Sequence, residues 1–486
     1  MKNINRRNFL KTTLATAAAV NVPFPSITQE ISPSDEIRVA VIGFNGRGRD
    51  HISGFSNRQG VRLTALCDAD SLVLEREVKK HQEKGLKLES FKDARKLLES
   101  KNIDAVSIAT PNHWHALMAI WAIQAGKDVY VEKPISHNVW EGRKVVEAAR
   151  KYQRIVQAGT QSRSSQAIKD AVAWVAAGNI GKIEVSRGLC YKPRASIGKT
   201  EGPQKVPDNI DYDLWSGPAP LVPSRRNSKQ FGPVHYDWHW IWNYGNGDLG
   251  NQGIHQMDIA RWFLGVNELS PRVFSVGGRL GYEDDGETPN TQMVYHGYEK
   301  APLIFEVRGL PEKTGSKNMD KYKGGSVAVV VECEGGYVLV GSNYGSAVAF
   351  DKEGKQIQKW EGGVNHYQNF IEAVRSRKQS ELNADIWEGH LSSALCHTGN
   401  ISYRLGKAAS PGQIKEQIKG DKNATETFER MAQHLAANDV DLEKSKATMG
   451  VPLLMDPKVE KFIGNSDADA MLTREYRKPF VVPERV

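Results

Sequence analysis

The segment Val39-Ala40-Val41-Ile42-Gly43-Phe44-Asn45-Gly46-Arg47-Gly48 is the part of this chain from which its fold can be inferred. Its apolar first half predicts a buried strand, and the glycines after it predict a tight turn that opens a helix. Gly43, Gly46 and Gly48 form a G-x-x-G-x-G pattern, which lets the backbone approach a pyrophosphate at a helix N-terminus. The segment therefore predicts the first unit of a dinucleotide-binding domain. The alternative is a plain glycine turn.

An acidic residue closes the next predicted strand. Val61–Cys67 is followed by Asp68, which lies 20 positions after Gly48. A carboxylate at this place accepts hydrogen bonds from a ribose diol and repels a 2′-phosphate. We therefore predict NAD as the cofactor, with NADP less favoured. Arg47 would soften that preference.

The order of strands and helices predicts two domains of different kinds. From Ile37 to about Gly159, apolar runs alternate with helical periods, which indicates βαβ units and a parallel sheet. After Gly265, strand-like segments follow one another with few helices, which indicates a mainly antiparallel sheet. A chain of 486 residues is also too long for one core. We predict an α/β protein with a nucleotide domain over residues 36–160, a substrate domain over 161–406 and a C-terminal helical extension and tail over 407–486.

The N-terminus has the pattern of an export signal. Asn5-Arg6-Arg7-Asn8-Phe9-Leu10-Lys11 precedes a short apolar run, Thr12–Val20. Twin arginines followed by Phe-Leu-Lys resemble the bacterial twin-arginine signal. The apolar run is too short to span a bilayer. We predict that residues 1–30 are a twin-arginine signal peptide, that the protein is periplasmic or otherwise exported, and that it has no stable membrane anchor. The alternative is an ordinary basic tail.

Composition excludes several classes of function. The net charge is +8, but the basic residues are scattered among acids, which argues against a nucleic-acid partner. The four cysteines lie far apart, so neither a zinc cluster nor a redox CxxC motif is available. Six of the eleven tryptophans fall between residues 174 and 262. That crowding suits a sugar pocket, although buried core tryptophan is the commoner explanation.

Two residues have the chemistry of a catalytic pair. Lys133, in Val131-Glu132-Lys133-Pro134, ends a predicted strand, where an ammonium favours an alkoxide formed during hydride transfer. The alternative is a solvated lysine. His255 is the natural proton carrier, because its ordinary pKa lies near neutral pH. Asn251 and Asp258 share its helical face, so Asn251 is predicted to orient the substrate hydroxyl and Asp258 the imidazole.

Further residues complete the predicted site. Ala109-Thr110-Pro111-Asn112 ends the third strand at the ligand-binding edge of the sheet, whereas His115 is either a cofactor contact or a helix-face histidine. His235 and His239 lie at i and i+4, but no acid has zincin spacing, so no metal is predicted. The predicted substrate residues are Arg163, Trp238, His239, Asn251 and Asp258. The predicted cofactor residues are Gly43, Asn45, Gly46, Arg47, Gly48, Asp68, Thr110, Pro111, Asn112, His115, Glu132, Lys133 and Gln161.

With these motifs in this order, the chain resembles the Gfo/Idh/MocA oxidoreductase family, which includes glucose–fructose oxidoreductase and inositol dehydrogenase. The resemblance covers roughly Ile37 to Gly406. It implies a Rossmann domain followed by an α/β domain with an open, mainly antiparallel sheet. It also implies that Lys133 and His255 are the catalytic pair and that the protein is a homo-oligomer. The residues that carry it are Gly43–Gly48, Thr110-Pro111-Asn112 with His115, Glu132-Lys133-Pro134 and Gly253–Asp258.

One departure from the family pattern bears on the reaction. The family has Asp-x-Gly-x-His where this chain has Asn251-Gln252-Gly253-Ile254-His255. Because an amide cannot take a proton, a carboxylate would have to come from Asp248 or Asp258, or His255 and Lys133 must carry all proton transfer.

Export adds a second constraint, since no free pool of NAD is maintained outside the cytoplasm and the cofactor must be held tightly. We predict an NAD-dependent oxidoreductase acting on a sugar, glycoside or polyol hydroxyl by hydride transfer. The alternative is an NAD-dependent glycosidase or lyase that uses transient oxidation without net redox change. A non-catalytic sugar- or nucleotide-binding protein is less favoured, because Lys133 and His255 are both present.

Overall fold

The first sheet is parallel and has six strands in the order β3-β2-β1-β4-β5-β6. The computed structural model describes residues 36–225 and 234–486; the predicted signal peptide lies outside the described residues. Strands β1 to β6 are Ile37–Ile42, Val61–Cys67, Glu89–Phe91, Ala105–Ile108, Asp128–Val131 and Val156–Ala158. Helices α1 to α5 are Gly48–Ser56, Ser71–Gln82, Ala94–Leu98, Asn112–Gln124 and Val139–Lys151.

The central strands of this sheet are buried on both faces, as parallel strands covered by helices should be. Five of the six residues of β1 and all residues of β4 and β5 are buried. Side-chain caps help to start the helices: Asp70 accepts the N–H groups of Leu72 and Val73 before α2, and Asn138 accepts that of Glu141 before α5. The strand order reverses between β1 and β4, which is where ligands bind in such sheets.

The second sheet is larger and mostly antiparallel. Among the described residues, β7 and β10 are the only two neighbouring strands of this sheet that run parallel. Strands β7 to β18 are Ile183–Tyr191, Arg272–Gly278, Thr291–His296, Leu303–Arg308, Val327–Cys333, Gly336–Val340, Ser346–Asp351, Gln356–Glu361, Lys407–Ala409, Ala447–Met449, Leu453–Asp456 and Lys461–Phe462. Helices α6 to α13 are Gln166–Ala176, Tyr212–Ser216, Ile254–Leu264, His366–Ser376, Ile386–Arg404, Pro411–Ile418, Lys422–Ala437 and Ser466–Ala470. The predicted α/β class, with a parallel sheet followed by a mainly antiparallel one, is confirmed.

The largest hydrophobic core lies between the second sheet and the helices α6, α8 and α10. Leu391, Leu395 and Cys396 of α10 pack there with Phe305 and Val329 of the sheet. Helix α8 contacts β7 directly, so the residues before and within α8 are held against the carboxyl end of that strand. This packing positions His255.

The C-terminal segment contains the helices α11, α12 and α13 and also strands that were not predicted. Strands β15, β16 and β17 join the second sheet, and Phe480, Val482 and Val486 pack into the core of the first sheet. Strands of three or four residues carry too little periodicity to be recognised in a sequence. No helix among the described residues is long and apolar enough to cross a membrane.

Candidate active site

A cavity of about 860 Å³ lies where the carboxyl ends of the parallel strands face the second sheet. The nucleotide-side motifs meet there, because β1, β2, β4 and β5 all end at the same edge. The opposite wall comes from the end of β7, the start of α8 and the segment from Val234 to His239. The structure thus brings Gly43, Asp68, Lys133 and His255 to one cavity.

The glycine turn has the shape needed for a dinucleotide. Gly43 has a φ of +77°, and a Cβ atom there would lie 2.8 Å from the Thr110 side chain. A Cβ atom on Gly48 would collide with the carbonyl oxygen of Gly43. At Gly46, by contrast, a Cβ atom would have no heavy atom of the described residues within 4 Å. The turn is therefore tight on the protein side and open on the cavity side, which fits a pyrophosphate.

Asp68 lies in the cavity at the end of β2, where a ribose is expected. Its carboxylate accepts the backbone N–H groups of Phe44 and Asp70, both at 3.0 Å. Burial raises its pKa, although these hydrogen bonds oppose the rise. Arg47 donates to Glu132 at 3.0 Å and to Asp50 at 2.9 Å. Two carboxylates already bind this guanidinium, so it is less available to the 2′-phosphate of NADP. The site therefore favours NAD.

We expect Asp68→Ala to lower the affinity for NAD by about 10- to 100-fold, because each charge-assisted hydrogen bond to the ribose contributes roughly 1.5–3 kcal/mol. The measurement is the NAD content and affinity of the purified protein. Asp208→Ala is the matched control, since Asp208 is exposed and pairs with Lys205, which is also exposed. An unchanged NAD affinity in the Asp68 variant would contradict this role.

His115 lines the cavity and also supports the turn, so its predicted contact with the cofactor stays a prediction. Its Nδ1 lies 2.6 Å from the carbonyl oxygen of Pro134, and its Nε2 lies 2.7 Å from that of Thr110. A neutral ring carries one N–H, so it donates to one of these two oxygens. The ring joins the end of β4 to the segment that holds Lys133.

Glu132 is the centre of a buried hydrogen-bond network behind Lys133. Its carboxylate accepts hydrogen bonds from Nε2 of His51 and Nε2 of Gln161, each at 3.0 Å. It also accepts one from the backbone N–H of Lys133 at 3.1 Å. Burial alone would raise its pKa, but the hydrogen bond from His51 and the charge of Arg47 outweigh burial and hold the pKa well below its ordinary value. Glu132 is therefore an anion that fixes the backbone position of Lys133 through the hydrogen bond from that backbone N–H.

Lys133 reaches across to the second sheet domain. Its Nζ donates to the backbone carbonyl of Asn251 at 3.0 Å. Burial lowers the pKa of this ammonium, and the charge of Glu132 partly offsets the effect. An ammonium has three N–H donors, and this contact uses one of them.

The acceptor for Lys133 belongs to a π-helical turn, Leu249–Gly253, that leads into α8. Such turns are rare and often occur at functional sites. The predicted common face of Asn251 and Asp258 assumes regular helical spacing between them. Asn251 lines the cavity, whereas Asp258, three residues after His255 in the regular helix α8, does not.

His255 lines the cavity as a neutral imidazole. Burial, followed by the charge of Lys133, lowers its pKa to about 3. Its Nδ1 is buried without a hydrogen-bond partner among the described residues, and its ring lies 5.6 Å from that of Tyr344. A neutral ring has the free lone pair that a base needs, and a pKa of about 3 makes it a weak base.

Arg163 and Asp258 are not substrate residues in this arrangement, which corrects two predictions. The Nε of Arg163 donates to both oxygens of Asp258 at 2.9 Å, and the Ser392 hydroxyl donates to Asp258 at 2.6 Å. Asp248 is likewise held by Arg194 at 2.6 Å. Neither carboxylate lines the cavity, so neither replaces the family's aspartate. A buried carboxylate requires a cation, and long-range pairing is not visible in the sequence.

The segment from Val234 to Trp240 forms an aromatic wall. The rings of Trp238 and His239 stack with centroids 3.6 Å apart. Burial lowers the pKa of His239 to about 3, and its Nδ1 contacts the carbonyl oxygen of Tyr236 at 2.7 Å. His235 bonds Asp70 at 2.8 Å. Within residues 36–225 and 234–486, no group of His, Cys, Asp or Glu side chains is arranged to hold a metal ion.

Lys192, Gln252 and Tyr344 are among the cavity residues that have no counterpart among the predicted site residues. Lys192 donates to the Gln252 side chain at 2.9 Å, and the Tyr344 hydroxyl accepts from Gln252 at 3.2 Å and from Gln256 at 2.9 Å. Tyr344 has a φ of 53°, a left-handed conformation that is strained for a tyrosine. The only sequence signal for this group is the i, i+4 spacing of the two glutamines around His255.

Comparison with known proteins agrees with this architecture. Residues 37–160 match the family model described as oxidoreductase family, NAD-binding Rossmann fold, and residues 163–305 match that of the family's C-terminal alpha/beta domain. The chain belongs to the Gfo/Idh/MocA oxidoreductase family. The predicted family and its NAD cofactor are confirmed. Residues 3–23 match the twin-arginine translocation signal, which confirms the predicted export to the periplasm.

Two curated relatives have names that refer to glycoside cleavage. A glycosyl hydrolase family 109 protein of Shewanella baltica is 35% identical over 181 residues, covering 32% of this chain and 39% of the relative. An alpha-N-acetylgalactosaminidase of Shewanella oneidensis is 33% identical over 177 residues, with the same coverage of 32% and 39%. The chain thus spans about two fifths of the length of the relatives that it matches.

Solved structures share the fold at low identity. The WlbA dehydrogenase of Chromobacterium violaceum, in complex with NADH and UDP-GlcNAcA, is 19% identical with a TM-score of 0.56, and the match covers 76% of this chain and 94% of that one. Levoglucosan dehydrogenase, in complex with NADH and levoglucosan, is 16% identical with a TM-score of 0.54, covering 74% and 95%.

Proposed function

We propose that this Gfo/Idh/MocA family member is an NAD-dependent enzyme that oxidises a hydroxyl group of a sugar, glycoside or polyol. The observation that carries the proposal is the meeting of the Lys133 ammonium and the neutral His255 in one cavity with the glycine turn. A cation beside a neutral base is the arrangement that removal of a hydride and a proton from an alcohol requires.

The cavity residues divide the work between cofactor and substrate. Gly43–Gly48 and Asp68 would hold the pyrophosphate and a ribose, and NAD supplies the hydride acceptor. Lys133 donates to the substrate hydroxyl oxygen and stabilises the negative charge that grows on it. His255 accepts the hydroxyl proton. The Trp238–His239 stack and Tyr344 form the wall against which a sugar ring packs.

A second candidate is an NAD-dependent glycosidase or lyase, in which the substrate is oxidised transiently and the net reaction is redox-neutral. The names of the Shewanella relatives favour it. A second support is a pair of contacts at Asp70, two residues after Asp68. Its carboxylate accepts a hydrogen bond from the Asn209 amide at 2.7 Å and contacts His235 at 2.8 Å. Such contacts beside the cofactor site would help to retain NAD after export, and a retained cofactor suits a cycle that returns the hydride.

The two candidates are separated by incubating the purified protein, without added NAD, with aryl glycosides and with free sugars. Aglycone release and NADH absorbance are followed together. NADH formation without aglycone release would support oxidation as the net reaction. Aglycone release at constant NADH would support the glycosidase and contradict the simple oxidoreductase. If no substrate releases an aglycone or changes the NADH absorbance, both candidate functions are contradicted.

The pH dependence of kcat/KM tests the protonation states of Lys133 and His255. His255 is neutral above its pKa of about 3, so we expect the acid limb caused by His255 to lie well below pH 6.5. The pKa of Lys133 is lowered from 10.5, so its charge should be lost in an alkaline limb below pH 10.5. The measurement is a pH profile of kcat/KM on the best substrate of the panel. An acid limb near pH 6.5 would contradict a buried, neutral His255.

A further inference from the structure

Lys192 is a cation in the cavity wall without an acidic partner among the described residues. Its Nζ contacts the neutral side chain of Gln252 at 2.9 Å. No carboxylate in the described part of the chain lies within ion-pair distance of it, whereas Arg194, two residues later, is neutralised by Asp248 at 2.6 Å. A lysine that lines a cavity and lacks a counter-ion is available to an anionic ligand.

Within residues 36–225 and 234–486, the acidic residues that line the cavity all belong to its nucleotide half. Asp68, Asp93 and Glu132 all follow strands of the first sheet or the turns beside it. From Tyr191 to Tyr344, none of the described residues that line the other half is acidic. The substrate half therefore has positive charge that none of these lining residues compensates.

Lys192 and Lys133 are held by the same π-helical turn. Lys133 bonds the carbonyl oxygen of Asn251, and Lys192 bonds the side chain of the next residue, Gln252. The charge of Lys192 is among the causes that lower the pKa values of Lys133 and His255, after burial. Two ammonium groups held at the same turn repel each other, and an anion bound between them would relieve that repulsion.

We propose that Lys192 binds an acidic substituent of the substrate, so that the preferred substrate is an anionic sugar or glycoside, such as a uronide or a sulfated sugar. This inference rests on the proposed function, since it assigns the substrate class of the same cavity. Lys192 follows β7 and bonds the π-turn that leads to His255, whereas the glycine turn that would hold the cofactor pyrophosphate follows β1.

The test is a calorimetric titration of the NAD-bearing protein with glucuronate, galacturonate, glucose, galactose and glucose 6-sulfate. We expect an acidic sugar to bind about 10- to 100-fold more tightly than its neutral counterpart, because hydrogen bonds to charged groups are the stronger ones. Lys192→Met should abolish that difference, and Lys192→Arg should keep most of it. Lys101→Met is the matched control, because Lys101 is exposed and outside the cavity.

Equal affinity for acidic and neutral sugars, or an unchanged preference in Lys192→Met, would overturn the inference. A preference for the sulfate over the uronates would support it and assign the anion. Thermal unfolding of each variant checks that it is folded, and Lys192→Gln provides a second neutral variant. Charge-selective binding without turnover of any sugar would contradict the proposed function but would still support Lys192 as the residue that binds the anionic group.

Discussion

Lys133→Met is expected to lower kcat by roughly 100- to 1,000-fold, because it removes the ammonium that stabilises the developing alkoxide. Methionine keeps most of the volume of the side chain but loses the hydrogen bond to the Asn251 carbonyl. The measurement is single-turnover kinetics on the best substrate of the panel, with the bound NAD quantified in the same sample.

The control for this substitution is again Lys101→Met, which removes an exposed lysine outside the cavity. The NAD content of Lys133→Met should stay close to that of the wild type, since Gly43–Gly48 and Asp68 remain in place. A loss of kcat smaller than about 10-fold with full NAD content would contradict the assignment of Lys133.

Asp258→Asn is expected to lower the free energy of unfolding by about 3 kcal/mol, because it removes one of the two carboxylates that pair with the buried Arg163 and leaves only Glu388. Arg261 also lies 3.6 Å from this carboxylate, and Ser392 donates to it. The measurement is denaturant unfolding, together with kcat per folded molecule. Asp208→Asn, in an exposed ion pair with Lys205, should change stability by less than about 1 kcal/mol.

The same variant distinguishes two roles of Asp258. If Asp258 oriented the imidazole of His255, Asp258→Asn would lower kcat at unchanged stability. The ion pair with Arg163 leads us to expect the opposite result: lower stability with kcat per folded molecule within about threefold of the wild type. A large loss of kcat in a stable variant would contradict the structural role.

The nucleotide half of the site was predictable because each motif is local. Gly43–Gly48, Asp68, Thr110–Asn112 and Glu132–Lys133 follow the ends of separate strands. In a parallel sheet, the carboxyl ends of neighbouring strands meet at one edge, so order and spacing along the chain are enough to bring these motifs together. His255 was predictable from its glycine-rich lead-in and from the family pattern.

The substrate half was less predictable because it depends on contacts between distant segments. Lys192 and Tyr344 enter the cavity only when the second sheet packs against α8, and neither has a neighbouring motif. Helical spacing predicted that Asp258 faces the cavity with His255, whereas in the folded chain Asp258 is bound by Arg163, which lies 95 residues earlier.

Local sequence motifs and the alternation of strands and helices were sufficient to predict the parallel sheet, the strand-end motifs, the NAD-binding domain and the export signal. Which charges are compensated became visible only in the folded chain: Asp248 and Asp258 are paired with arginines, and Lys192 with no described carboxylate. Burial makes an unpaired charge costly, so the state of each ionisable group depends on neighbours that lie far away in the sequence.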